Sequence, residues 1–464
     1  MNLVSLISDL LWNNVLIFLL ILGGIWFTVK LSFIQVANFR HMFTLVKPTE
    51  KATRTGISPF QALMTSLAAR VGTGNLAGVA IAISLGGPGA IFWMWLIALL
   101  GMATGYAESL LGQLYKVKDA NGEYRGGPAY YIRLGLKLPR LASFFSLLIF
   151  IGYGFVFSSV QANTIAEAVN NSLGVSNNIT GIFIVLIAGI ILIGGMKSIA
   201  NSVSVLVPIM GISYLVVALS ICAINFEQLP NIILLIVKSA FGLEEATSGL
   251  LGAAIINGIK RGLYSNEAGA GTVPHAAACA SPNPRHPATQ GFVQMFGVFL
   301  DTIVVCTATA MIILLAGTPD EGVTGIRLTQ FALEFHFGAY GRDYILVAIC
   351  LFSFTSIVAN FVYAESNLHL IRFDNPLRKQ IFILLFLYMT FWGATSSLPE
   401  VWKLADLSLG LTTLINISVL LLLTPTIIAV TQDYKRQIKL CKIPHFTEKD
   451  KSDLVQGRLG KGIW

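Results

Sequence analysis

Apolar residues run through this chain in long stretches, separated by short polar connections. Runs near 20 residues, the length that crosses a bilayer as a helix, recur at roughly 14–36, 58–85, 88–115, 141–170, 178–195, 200–224, 247–275, 287–316, 342–369, 379–397 and 402–431. The pattern predicts an all-α polytopic membrane protein with about eleven transmembrane helices in a single domain over 1–464. One run is interrupted. Between Ser58 and Leu85, Val71-Gly72-Thr73-Gly74-Asn75 sits at mid-membrane depth, directly after Arg70. Lipid offers no partner for freed backbone groups, so unwound chain there must be buried in protein or line a wet cavity. A glycine-rich packing face is the plainer alternative; a broken helix that holds solutes at the midplane of a secondary transporter is the other.

A second interruption favours the broken helix. The run 247–275 contains Asn257-Gly258, Lys260-Arg261-Gly262 and Ser265 through Thr272, and its backbone is expected to open over Gly258–Gly262. Counted from the second run, each interrupted stretch starts a group of five, 58–224 and 247–431, and the groups enter the membrane from opposite sides. Matching interruptions in two halves point to inverted repeats, here behind one extra helix at 14–36.

Composition agrees: 55% of residues are hydrophobic and 12% charged, which no ordinary soluble domain shows. The net charge of +8 could suggest nucleic acid, but its placement does not. One alternating set of loops and the tail take every Lys and Arg except Lys238, Arg327, Arg342 and Lys403, on the other set, and Arg70, inside a run. That bias puts the basic side in the cytoplasm, with the N-terminus outside and the C-terminus inside a cell membrane. The flank Met1–Asn14 lacks Lys and Arg, and no small-residue cleavage site follows the first run, so it does not read as a cleaved signal. Five scattered cysteines read as small buried hydrophobes without disulfides. No HExxH, GxSxG or P-loop is present and the six histidines lack metal-ligand spacing, so neither an enzyme nor a bound cofactor is expected. Ser281 through Pro287 must be a connection. Gly322–Tyr340 is expected to form a short helix over an outer mouth, and the basic tail 434–464 to be loosely ordered.

The stretch Gly86-Gly87-Pro88-Gly89-Ala90-Ile91-Phe92-Trp93-Met94-Trp95-Leu96-Ile97-Ala98-Leu99-Leu100-Gly101 resembles the signature of the alanine/glycine:cation symporters. Gly126-Gly127-Pro128-Ala129-Tyr130-Tyr131, Val160-Gln161-Ala162-Asn163 and Ser265-Asn266-Glu267-Ala268-Gly269 are similar to other recurring segments of that family. The resemblance covers nearly the whole chain. It implies a LeuT-like fold of two inverted five-helix repeats and import of small neutral amino acids, chiefly alanine and glycine, driven by sodium across a bacterial inner membrane. A monomer is expected. Proton coupling, a larger polar cargo such as glutamine, and a channel are the alternatives.

An amino acid zwitterion needs partners for a carboxylate and an ammonium. Freed N–H groups of Thr73, Gly74 and Asn75, at the start of the outer half-helix, suit the carboxylate. The resemblance places Gln161 and Leu263 along the pocket and Ser356 near cargo and cation alike; the opened backbone of Gly258–Gly262 is expected to offer carbonyls to the ammonium. It implies a sodium site from the backbone oxygens of Ala68, Val71 and Phe352 with the hydroxyls of Thr355 and Ser356; the plainer alternative is that these hydroxyls bond back to their own helix. Asn360 stands where the family commonly has a pocket-limiting tryptophan, which is expected to widen the substrate range. Asn163 faces away from Gln161 and is expected to bond to a neighbouring helix. Charges at membrane depth are costly, so Arg70, Glu108, Glu267, Asp301 and Glu365 are candidates for an inner network, with Arg70 pairing Glu267 or Glu365 as a gate latch or a static ion pair. Asp301 could instead lend charge to a cation site.

Overall fold

The computed structural model describes residues 3–46, 56–119, 122–192, 195–243, 251–317, 322–370, 375–448 and 452–464. The expected first residues of the 247–275 run, the end of the 178–195 run and the basic residues Lys47, Lys51, Arg54 and Arg372 lie outside the described residues.

Nearly all of the described chain is helical. In order, the helices that matter here are α1 (Val4–Lys30), α2 (Pro59–Arg70), α3 (Gly74–Gly86), α4 (Ala90–Leu114), α5 (Pro128–Leu134), α6 (Pro139–Leu173), α7 (Asn177–Leu192), α8 (Gly195–Ile224), α9 (Leu229–Ala240), α10 (Leu251–Asn266), α11 (Val273–Cys279), α12 (Pro287–Ala316), α13 (Ile326–Phe337), α14 (Ala339–Leu370), α15 (Pro376–Thr395), α16 (Leu398–Leu422) and α17 (Thr424–Lys439). A two-stranded hairpin, β1 (Val117–Lys118) and β2 (Tyr124–Arg125), precedes α5. Among the described residues, seven helices are long and apolar enough to cross a membrane, and eight if α2 and α3, bent by 52° at their break, count as one span. The described parts of the runs 178–195, 247–275 and 379–397 hold helices α7, α10 with α11, and α15, which fall short of that measure.

The α2–α3 break is where the sequence places it. Ser58 and Gln61 close the start of α2 with a reciprocal capping box, and Val71 leaves the helical region at φ −75°, ψ 92°. α3 then opens with a wide π-type turn, Gly74–Gly78, the kind of irregularity common at functional sites.

The second break falls elsewhere than expected. Gly258–Gly262 is uninterrupted helix inside α10, so its carbonyls are not freed. The glycines there serve packing: a Cβ at Gly258 would lie 2.4 Å from the Ala90 oxygen, and one at Gly262 2.6 Å from Ile97 of α4. Close backbone approach across a small-residue face explains both. The chain opens after α10, over Glu267–Thr272, where Glu267, Gly269 and Gly271 take φ of 54°, 96° and 86°. Leu263 therefore precedes the break.

Three other expectations change. Lys260 and Arg261 sit on α10 beside Asp406 and line a cavity with Lys403, so they group with the smaller, basic-poor set and not with the larger one. The last run divides at Leu423 into α16 and α17. The tail is not loose. Gln456 accepts from Tyr115 and donates to Thr426, Arg458 donates to the Leu134 oxygen, and Trp464 donates to the Leu114 oxygen. A short helix is present in Gly322–Tyr340 as α13, tied to α3 by Thr329 donating to the Leu76 oxygen at 3.0 Å. The five cysteines are free, with Cys441 exposed.

Candidate functional site

Three helices converge on the first break: α6 through Gln161, α14 through Ser353 and Ser356, and α10 through Tyr264 and Ser265. The Gly72 N–H is taken by Asn75 Oδ1 at 3.1 Å. The Thr73 N–H and Oγ1 both donate to Gln161 Oε1, at 3.1 and 2.7 Å, and Thr73 Oγ1 lies 3.1 Å from Ser353 Oγ. An amide oxygen thus occupies the acceptor position that a ligand carboxylate would need. Gly74 admits α10 to the break: an added Cβ would sit 3.0 Å from the Tyr264 ring and 3.2 Å from Ser265 Cα.

Asn75 links the break to α10 and α12, with its Oδ1 on Gly72 and its Nδ2 turned to Ser265 and Asp301. Its Nδ2 donates to Ser265 Oγ at 3.1 Å and to Asp301 Oδ1 at 2.8 Å. Asp301 Oδ2 also accepts from Ser265 at 2.5 Å and Thr302 at 2.9 Å. A wide turn in α12, Phe299–Cys306, presents this carboxylate.

Ala68, Phe352, Thr355 and Ser356 come together. Ser356 Oγ donates across the helix gap to the Ala68 oxygen at 2.8 Å and within α14 to the Phe352 oxygen at 3.0 Å. Thr355 Oγ1 bonds back to the same Phe352 oxygen at 2.9 Å. These hydroxyls bond back within α14, and Ser356 also reaches α2, so their oxygens gather between the two helices. Val71 is buried at the end of α2, next to Gly72, where an added Cβ would approach Ser356 Oγ to 2.5 Å.

Asn360 is buried, and neither its Nδ2 nor its Oδ1 has a partner among the described residues. It follows Ser353 and Ser356 at helical spacing, on the face of α14 turned to the break. Leu263 is buried on α10. Asn163 donates to the Gly393 and Ser396 oxygens of α15, at 3.1 and 2.7 Å, away from the break.

The charged residues do not form the expected latch. Arg70 donates to Ser66 Oγ at 2.8 Å, Gln294 Oε1 at 3.3 Å and the Asn266 oxygen at 3.4 Å, and among the described residues it makes no ion pair. Glu365 instead meets Lys379 at 2.6 Å. Glu267 accepts from Tyr153 at 3.1 Å and Thr272 at 2.6 Å. Glu108 accepts from the Gly269 and Gly271 N–H groups at 3.1 and 3.2 Å and from Asn416 at 2.9 Å, clamping the second break.

Sequence reasoning missed Ser353, Tyr264 and the pair Arg261–Asp406. Charges of opposite sign inside apolar runs, Lys260-Arg261 in one and Asp406 in another, were the available signal for the last.

Residues 1–448 match the model of the sodium:alanine symporter family. The chain is 44% identical to an uncharacterized transporter of Escherichia coli (strain K12), covering 95% of this chain and 94% of that protein. It is 42% identical to the probable sodium/glutamine symporter of Bacillus subtilis (strain 168), covering 100% and 96%. It is 37% identical to the sodium/alanine symporter of Methanococcus maripaludis, covering 93% and 97%.

Proposed function

The chain belongs to the sodium:alanine symporter family, and from that premise we propose that it imports small neutral amino acids, alanine and glycine among them, together with sodium by alternating access. Two inverted repeats on a LeuT-like plan, 58–224 and 247–431, behind the extra helix α1 and making eleven spans, fit the two breaks. The observation that carries this reading is the unwound Gly72–Thr73 backbone facing Gln161, Ser353 and Ser356. When cargo binds, Gln161 yields Thr73 N–H and Oγ1 to the carboxylate, and the N-terminal dipole of α3 reinforces them. Gly74, Asn75 and Leu263 shape the rest of the pocket. With Gly258–Gly262 closed as helix, the ammonium turns to oxygens at the end of α2 and on α14.

Sodium, the co-transported ion, takes the oxygens of Ala68, Val71, Phe352, Thr355 and Ser356. Oxygen donors suit a hard cation, and Ser356 already bridges the two helices that would hold it. One sodium crossing about 100 mV gains about 2.3 kcal/mol, enough for more than about tenfold accumulation of a neutral solute.

A specific observation supports a broader cargo. The unpaired Nδ2 and Oδ1 of Asn360, one turn of α14 beyond Ser356, are one donor group and one acceptor, the complement of a side-chain carboxamide such as that of glutamine. A buried polar pair left unpaired is costly, and a carboxamide satisfies both atoms. Proton coupling is the second reading of the driving ion. It draws on the buried Glu108, Glu267 and Asp301 around a single Arg70.

Reconstituted vesicles test both levels. Radiolabelled alanine should accumulate under an inward sodium gradient and not in potassium with a proton gradient; accumulation in the potassium arm alone would replace sodium by protons, and none in either arm would sink the symport reading. Unlabelled glutamine should compete in the parent and lose about tenfold in competition after Asn360→Trp. An unchanged competition profile removes the role assigned to Asn360.

A further inference from the structure

A cavity of about 570 Å³ opens at the basic-poor end of the molecule, lined in part by Asp9, Arg261, Thr324, Trp402, Lys403 and Asp406. Its floor is a charged and aromatic layer. Arg261 Nη2 meets both oxygens of Asp406, at 2.5 and 2.6 Å, and its guanidinium lies 4.3 Å from the Trp402 ring centre. Below Trp402, at 4.5 Å between ring centres, is Tyr264, and below Tyr264 is Gly74 of the first break. The layer therefore separates the cavity from the central site by two rings.

The layer is incompletely satisfied. Arg261 is 4% exposed, yet its Nε and Nη1 have no acceptor among the described residues, and Trp402 Nε1 also lacks one. Asp406 engages one nitrogen of the guanidinium and leaves the other two unused. Buried charged donors without acceptors are unfavourable, and a carboxylate is the acceptor that a guanidinium pairs with best.

We propose that this cavity is a loading site for the α-carboxylate of the transported amino acid, which takes the unused Nε and Nη1 donors of Arg261 before moving inward. The proposal rests on the amino-acid reading above. Those nitrogens are shielded from solvent, so the Trp402 ring moves aside as the carboxylate arrives, and the same movement uncovers Tyr264. Asp9, on the same cavity wall, faces the ammonium.

The test uses the full-length protein carrying Ser5→Cys, on the cavity wall, labelled with a thiol reagent against the parent as background. Alanine should slow labelling about tenfold, acetate should slow it less, and alaninamide, which lacks the carboxylate, should leave it unchanged. Protection should survive Thr73→Val, which cripples the central site, and disappear with Arg261→Gln. Equal protection by alaninamide, protection lost with Thr73→Val, or protection by chloride alone, an adventitious ion only, would overturn the proposal. Should Arg261→Gln fail to fold, the alanine and alaninamide arms decide with Arg261 in place. Sodium-driven alanine uptake without protection defeats the loading site and leaves symport standing. Protection without uptake does the reverse.

Discussion

At the scale of single residues, the first break depends on space as much as on hydrogen bonds. Gly72 and Gly74 each face a partner that a methyl group would strike: Ser356 Oγ at 2.5 Å and the Tyr264 ring at 3.0 Å. Gly72→Ala should therefore push Ser356 off the Ala68 oxygen and cut sodium-driven uptake by at least about tenfold, a loss of about 1.4 kcal/mol at the site, while the purified protein elutes normally. Wild-type uptake by that variant would show that Ser356 is not needed where it stands. Thr355→Val and Ser356→Ala remove candidate sodium ligands one at a time; each should raise the sodium concentration for half-maximal uptake by about tenfold with little effect at saturating sodium. These residues were legible because polar and glycine positions stand out in apolar runs. Their partners were less so. Ser353 lies one helical turn from Ser356 yet resembles any hydroxyl in a membrane helix, and Gln161 as the acceptor for Thr73 depends on the approach of α6.

Glycine has different meanings in different helices, and the misplaced second break shows why. Gly258 and Gly262 read as helix openers, yet they lie in unbroken α10 because α4 approaches so closely that a Cβ cannot fit. The glycines that do open the chain, Gly269 and Gly271, hold positive φ, and their N–H groups are held by Glu108 of α4. Gly258→Leu should thus destabilise the protein by about 1–3 kcal/mol through overpacking, read as a lowered melting temperature in detergent. Gly252→Ala, at a position with no atom within 4 Å of the added Cβ, should not. Equal melting temperatures for both would contradict the packing account of α10. Helix periodicity located α10 itself; it could not say which of its glycines faced a neighbour.

Across the whole molecule, the tail links parts distant in sequence. Residues 452–464 touch the end of α4, α5 and α17 through backbone and side-chain hydrogen bonds, and the Ile463 oxygen accepts from Arg285 in the connection before α12. Gly457 takes φ +80° with the Leu134 oxygen 2.1 Å from a would-be Cβ. Gly457→Val should release this strap, seen as faster proteolysis after α17 in intact protein. A cleavage rate equal to the parent's would mean the strap adds no protection. A polar, basic segment carries no periodic signal, so its docking was invisible in the sequence.

Sequence alone determined that this chain lives in a membrane, that most of it is helical, and that one helix is broken within Val71–Asn75, because each follows from what hydrocarbon accepts: long apolar runs, and polar backbone only where protein covers it. Tertiary structure decided which glycines separate helices and which let them touch, that Arg70 stands apart from Glu267 and Glu365, and that Arg261 meets Asp406 across 145 residues. Those outcomes depend on distances between elements far apart in the chain, and a hydrophobic pattern encodes which face is buried without naming what it is buried against.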